Sequence, residues 1–353
     1  MFRVLVIVLC YLEFEIWNEC PLRSPPSVKT IASFRNPHPH APIRPPSHTQ
    51  AVLTGDRRAI ARAITVVENG GEDAADLVDT LYLHTGSAWR IGITGPPGAG
   101  KSTLVDRLIA LFIGKGKTIG VVAVDTSSPF TGGALLGDRV RMDERTSDGG
   151  VFIRSLAARG ALGGLSEATE AACDVLDAAG FDLVLIETVG VGQGELDVAE
   201  TADTVLVVLV PESGDAVQAM KAGLMEIAHV FAVNKADHPE AGLMVRALRQ
   251  MLHLRAVAKD GWEVPVVKTS ALSGEGLDEL SDALSSHRVH LEPNWQTSRE
   301  VRLRRRVRRI VEESWRAGFW SDGRSERLDA SLELLRLENR APHQIAATLL
   351  GAE

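Results

Sequence analysis

Apolar positions change their period along this chain, and each change marks a different kind of element. Over DRRAIARAITVVENG the residues Ile60, Ala63, Ile64 and Val67 recur on one face of a helix, and the pattern stops at Gly70-Gly71. A second helix is expected from about Glu72 to His84. From Ala88 short unbroken apolar runs take over: WRIGITG, TIGVVAVD, FDLVLIET, DTVLVVLV, HVFAVNK and VPVVKTSA, with VFIRS at Val151 as a further candidate. Such runs, alternating with helical segments such as KSTLVDRLIALFIGKG, are the mark of parallel strands covered on both faces. The expected fold is a doubly wound, mostly parallel α/β sheet over residues 88–290, preceded by a helical segment over 51–87.

Beyond Pro293 the strands stop. Leu303, Val307, Ile310, Val311 and Trp315 mark one helical face, a further helical pattern runs from Ser325 to Glu338, and PHQIAATLL closes the sequence. Residues 291–353 therefore read as a helical arm, too small for a core of its own and expected to dock on a second copy of the chain. At the other end, the apolar run Val4 to Leu12 is too short to span a bilayer and is followed by Glu13 and Glu15. Residues 21–48, rich in Pro, Ser, His and Arg, would not bury a core, so residues 1–50 are expected to be a disordered extension.

Composition narrows the choice of partner. The 353 residues are 45% hydrophobic and 24% charged, and the net charge of −8 gives no field that favours nucleic acid or an anionic membrane. The seven arginines between Arg299 and Arg309 are then expected to be a solvated basic face, or a surface for pairing with another subunit or a partner. Cys10, Cys20 and Cys173 have no metal-ligand spacing, which suits free thiols in a reducing compartment and an expected cytoplasmic location.

The chemistry is carried by two turns. Gly95-Pro96-Pro97-Gly98-Ala99-Gly100-Lys101-Ser102, with Thr103 next, satisfies G-x-x-x-x-G-K-[ST] between a strand and a helix. Glycines let backbone N–H groups turn around phosphate oxygens, and the helix N-terminus adds positive potential. Lys101 is expected on the β- and γ-phosphates and the Ser102 hydroxyl on Mg²⁺. Two strands end in acids that could complete a Mg²⁺ site, at Asp125 and Glu187, and Asp138 is a further candidate.

The second turn is Asn234-Lys235-Ala236-Asp237, at the end of HVFAV. The Asp237 carboxylate can accept from guanine N1–H and the 2-amino group, whereas adenine would leave it unpaired. The Lys235 stem can cover the ring, and a backbone N–H of Ser270-Ala271-Leu272 can reach guanine O6. The expected ligand is GTP or GDP with Mg²⁺.

In order along the chain, GPPGAGKST, DTSSPFTGGALLGDRVRM, GVFIRSLAARGALGGL, IETVGVGQGE, VPESGDAVQAMKAG, VNKAD and TSALSGEGL resemble the MeaB-type GTPases associated with methylmalonyl-CoA mutase, once labelled transport ATPases. The resemblance spans about residues 54–340. It implies a homodimeric GTPase, acting as chaperone to an adenosylcobalamin-dependent acyl-CoA mutase, gating cofactor delivery and protecting the mutase. It also implies Mg²⁺ acids at Asp125, Asp138 and Glu187. Switch segments fall at 125–142, 190–193 and 211–223, with Gln193 and Lys221 as candidates for the hydrolytic step. Thr126, Ala161, Glu212 and Ala216 depart from the family's pattern. Because Val191 follows Gly190 where Ras-type GTPases carry a water-orienting glutamine, intrinsic hydrolysis is expected to be slow and raised by a partner. Three other functions share the phosphate turn: a metal-insertion GTPase of the hydrogenase or urease type, a small-metabolite kinase and a transport-energising ATPase. The first usually brings Cys and His ligands, and the other two have no use for Asp237.

Overall fold

The computed structural model describes residues 47–126, 150–158, 167–188, 194–211, 223–254, 261–321 and 323–329, with positions 343, 346, 349 and 350. The chain divides into two units, residues 1–44 and 45–353, and every described residue belongs to the second.

Seven parallel strands form one sheet: β1 (Trp89–Thr94), β2 (Ile119–Thr126), β3 (Val151–Ala158), β4 (Leu183–Glu187), β5 (Thr204–Leu209), β6 (Val230–Val233) and β7 (Val266–Lys268), in the order β3-β2-β4-β1-β5-β6-β7. These are the apolar runs read from the sequence, VFIRS included. Burial on both faces accounts for their lack of alternation. Val184 and Ile186 of β4 enter one core layer, and Leu183 and Leu185 enter the other. The first layer lies under α1 (Ser47–Leu53), α2 (Arg57–Asn69), α3 (Glu72–Tyr82), α5 (Glu167–Ala178) and α8 (Ala241–Leu254). The second is closed by α4 (Lys101–Gly114) and α9 (Leu277–Leu291). Shorter helices α6 (Gly194–Thr201) and α7 (Leu224–Ile227) flank β5.

Local chemistry sets the limits of these elements. Asp56 caps α2, its carboxylate accepting from the Ala59 N–H at 2.7 Å, and Ile60, Ala63, Ile64 and Val67 turn inward as their spacing predicts. Ile60 and Ile64 are fully buried.

The arginines of the arm differ from their expectation. Helix α10 (Trp295–Ser321) lays arginines onto acids of its own subunit. Arg299 pairs with Asp177 at 3.1 Å, Arg302 with Asp203 at 2.5 Å, Arg306 with Asp174 at 2.5 Å, and Arg309 with Glu170. Arg90 of β1 completes the lattice from below, 2.8 Å from Asp174 and 3.4 Å from Asp177. Burial alone would raise the Asp177 carboxyl, but Arg90 and the N–H groups of Ala88 and Gly86 outweigh it and hold the group below the usual carboxylate range. Arg304, Arg305 and Arg308 remain exposed, and only these fit a solvated face. The apolar stripe points outward: Val307, Val311 and Trp315 are 51%, 60% and 63% exposed. No described helix is long and apolar enough to cross a membrane.

Beside this lattice, at the leading ends of β5 and β6, Trp89 Nε1 donates to Thr204 Oγ1 at 2.8 Å, and that hydroxyl lies 2.9 Å from His287 Nδ1. The His287 ring is buried against His229 and Trp262. Burial, with the neighbouring His229 and His290, pushes its pKa down to about 2.

Candidate functional site

The phosphate turn leaves the carboxyl end of β1 and enters α4 at Lys101. It needs glycine at both ends. Gly95 has φ 137°, and a Cβ there would stand 2.0 Å from the Val208 carbonyl oxygen of β5. Gly100 has φ 83°, and its Cβ would stand 2.5 Å from Asn234 Nδ2. The turn thus lies against the loops that follow the neighbouring strands. Pro96, Pro97, Gly98 and Ala99 form its crest, with Ala99 fully buried. Lys101 is buried, its ammonium donating to the carbonyls of Gly95 at 2.8 Å and Pro96 at 3.0 Å, so its charge is held within the turn. Thr103 follows on the first turn of α4, half-buried.

Ser102 and Glu187 meet although they come from different elements. The Ser102 hydroxyl donates to Glu187 Oε1 at 2.5 Å, and Glu187, the last residue of β4, is buried. A hydroxyl and a buried carboxylate are hard oxygen donors of the kind Mg²⁺ takes, so this pair fits the ion. In the parallel register Ala123 of β2 lies beside Glu187, which puts the backbone of Asp125 two residues further along the adjoining strand. The side chain of Asp125 lies outside the described residues, as do Asp138, Gln193 and Lys221 and the departures at Ala161, Glu212 and Ala216.

On the base side, β6 runs into Asn234, buried, and Lys235, half-buried at φ 57°. Lys235 is the one described non-glycine residue at positive φ, a conformation that costs backbone energy and tends to persist where a loop must present particular groups. Asp237 stands exposed beyond it. Asn234 joins the two turns: its Nδ2 donates to the Ala99 carbonyl at 2.9 Å and its Oδ1 accepts from the Ala271 N–H at 3.0 Å. Ser270 and Ala271 are buried, whereas the Leu272 side chain is 80% exposed. The Ala236 N–H donates to the Thr269 carbonyl at 2.9 Å, tying the 234–237 turn to the 270–272 loop.

Arg107 is a contact that the sequence reading missed. From α4 its Nε donates to the Ala271 carbonyl at 2.8 Å and its Nη2 to the Leu272 carbonyl at 3.0 Å. Nothing in the motif spacing pointed to it, because an arginine on a helix face offers no sequence signal for a loop so distant along the chain.

Joining a base-side loop to a phosphate-side loop through one asparagine, at the carboxyl edge of a parallel sheet, is how a P-loop GTPase is built. Within that class, residues 60–323 match the family described as Methylmalonyl Co-A mutase-associated GTPase MeaB. The chain belongs to that family, and is a GTP hydrolase of a kind associated with methylmalonyl-CoA mutase. A protein of Pyrococcus abyssi with a provisional GTPase name is 52% identical over 73% of this chain and 79% of its own length. The GTPase ArgK of Escherichia coli is 36% identical over 67% of this chain and 74% of its own. A crystal structure titled as an LAO/AO transport system kinase shares the fold, with a TM-score of 0.65 and 24% identity, covering 86% of this chain and 95% of that one.

Proposed function

We propose that this chain is a GTP-driven chaperone for an adenosylcobalamin-dependent acyl-CoA mutase of the methylmalonyl-CoA mutase type, gating cofactor loading and protecting or reactivating its client. In this reading the backbone of residues 95–103 cradles the phosphates, and Lys101 exchanges the carbonyls of Gly95 and Pro96 for β- and γ-phosphate oxygens. Ser102 and Glu187, with Asp125 and Asp138, would hold Mg²⁺, which neutralises charge on the phosphates. Asp237 reads the guanine edge, Lys235 covers the ring, and the loop at Ser270-Ala271-Leu272 supplies the N–H for O6. Gln193 and Lys221 are the candidates for orienting water and supplying charge when the client docks. The nucleotide part of the reading is supported by the Asn234 bridge, which ties the turn after β1 to the 270–272 loop, and the client part by the family match.

The outward apolar stripe of α10, through Leu303, Val307, Ile310, Val311 and Trp315, favours a homodimer formed by the arm. We place the protein in the cytoplasm, with 51–87 a helical segment that α1 extends back to Ser47, 88–290 the GTPase domain and 291–353 the arm. Single-turnover GTP hydrolysis with and without the mutase tests the function. Slow basal turnover that the client accelerates supports it, and a fast basal rate that the client leaves unchanged removes it. A sedimentation profile that changes on Val311→Asp and Trp315→Asp supports the dimer. A wild-type monomer at micromolar concentration removes it.

A further inference from the structure

We infer that Arg107 is a positioning residue for purine recognition, acting through the peptide planes of the 270–273 loop. The inference rests on the guanine-site reading above. Its guanidinium holds two successive carbonyls, those of Ala271 at 2.8 Å and Leu272 at 3.0 Å. A trans peptide is planar, so its N–H points opposite to its carbonyl. Fixing the Ala271 carbonyl toward α4 therefore turns the Leu272 N–H away from α4. Fixing the Leu272 carbonyl likewise sets the Ser273 N–H, which donates to Ser270 Oγ at 3.3 Å. From the other side Asn234 Oδ1 accepts the Ala271 N–H at 3.0 Å. The loop is thus clamped between one arginine and one asparagine, both anchored to the phosphate side of the site.

The clamp acts in two ways. Orientation is one: a donor to O6 held at a fixed angle loses no ordering entropy when the base arrives. Polarisation is the other: a cation on a carbonyl oxygen draws electron density across the same amide and makes its N–H a stronger donor. A lysine would keep the charge but could not span both carbonyls with a planar fork. Arg107 itself lies exposed on α4, so the clamp adds little to the core.

The test uses the full-length protein with Mg²⁺ and follows release of mant-GDP against excess GDP, alongside competition by GDP, IDP and ADP. In Arg107→Ala release becomes about 10-fold faster. GDP and IDP, which both carry O6, weaken by the same factor, while ADP changes little and the ligand-free melting temperature holds. Arg107→Lys recovers only part of the loss. Wild-type release rates in Arg107→Ala overturn the inference. So does a uniform loss across GDP, IDP and ADP accompanied by a lower melting temperature, since that is a structural role. If the wild type itself fails to hold mant-GDP, the guanine-site reading falls instead.

Discussion

The two edges of the sheet both carry charged side chains, and they hold them differently. At the carboxyl edge Lys101 donates to main-chain carbonyls and Glu187 accepts from a hydroxyl, bonds that a phosphate oxygen or a cation can take over. At the amino edge Arg90, Arg299, Arg302, Arg306 and Arg309 are matched with Asp174, Asp177, Asp203 and Glu170, carboxylates that offset their charge. Bonds to neutral partners can be exchanged at small cost. Those locked into buried ion pairs cannot, because removing one member strands the other. One edge is thereby suited to a ligand and the other to holding a helix in place.

Substitutions at the two edges should separate along that line. The largest effect is on ligand choice. Asp237→Ala is expected to lower the preference for guanine over adenine nucleotides by about 10⁴-fold in competition binding, with the melting temperature unchanged because the side chain is exposed. Next comes Arg306→Ala, which leaves the buried Asp174 carboxylate short of a partner. It should cost about 3–5 kcal/mol in urea unfolding and expose α10 to proteolysis, with nucleotide preference intact.

A smaller effect is set by His287. The folded protein keeps this ring neutral to about pH 2, whereas the unfolded chain takes up the proton near pH 6.5. Its contribution is complete above pH 6.5 and is lost as the pH falls. One unit below, at pH 5.5, the loss is on the order of 1 kcal/mol, and His287→Gln should flatten that part of the profile of urea midpoint against pH. Smallest of all is the exposed pair Lys268–Glu275, 3.4 Å apart, whose removal by Lys268→Ala should change stability by less than about 0.5 kcal/mol. A large loss there would break the distinction between buried and exposed pairing on which the comparison stands.

What could be read in advance follows the same physics. Strands such as LVLIE and TVLVVL were legible because burial on both faces writes an unbroken apolar run into the sequence. The phosphate turn and N-K-x-D were legible because their chemistry is local. The docking of α10 was not, since its partners lie far off in sequence and its own arginines read as a solvated basic face or a surface for another subunit. A signal was nevertheless present. Glu170, Asp174 and Asp177 recur at helical spacing on α5, and Arg299, Arg306 and Arg309 share one face of α10, so two complementary stripes were available to be paired. The bond from Ser102 to Glu187 is not legible as a contact, because the sequence offers the two only as candidate ligands of one ion.

Strand β1 carries Arg90 near its start and runs directly into Gly95 at its finish, with β4 and β5 bonded along its two sides. The helix bolted to one tip and the glycine turn that leaves the other therefore share a single strand as their footing, instead of resting on separate parts of the sheet.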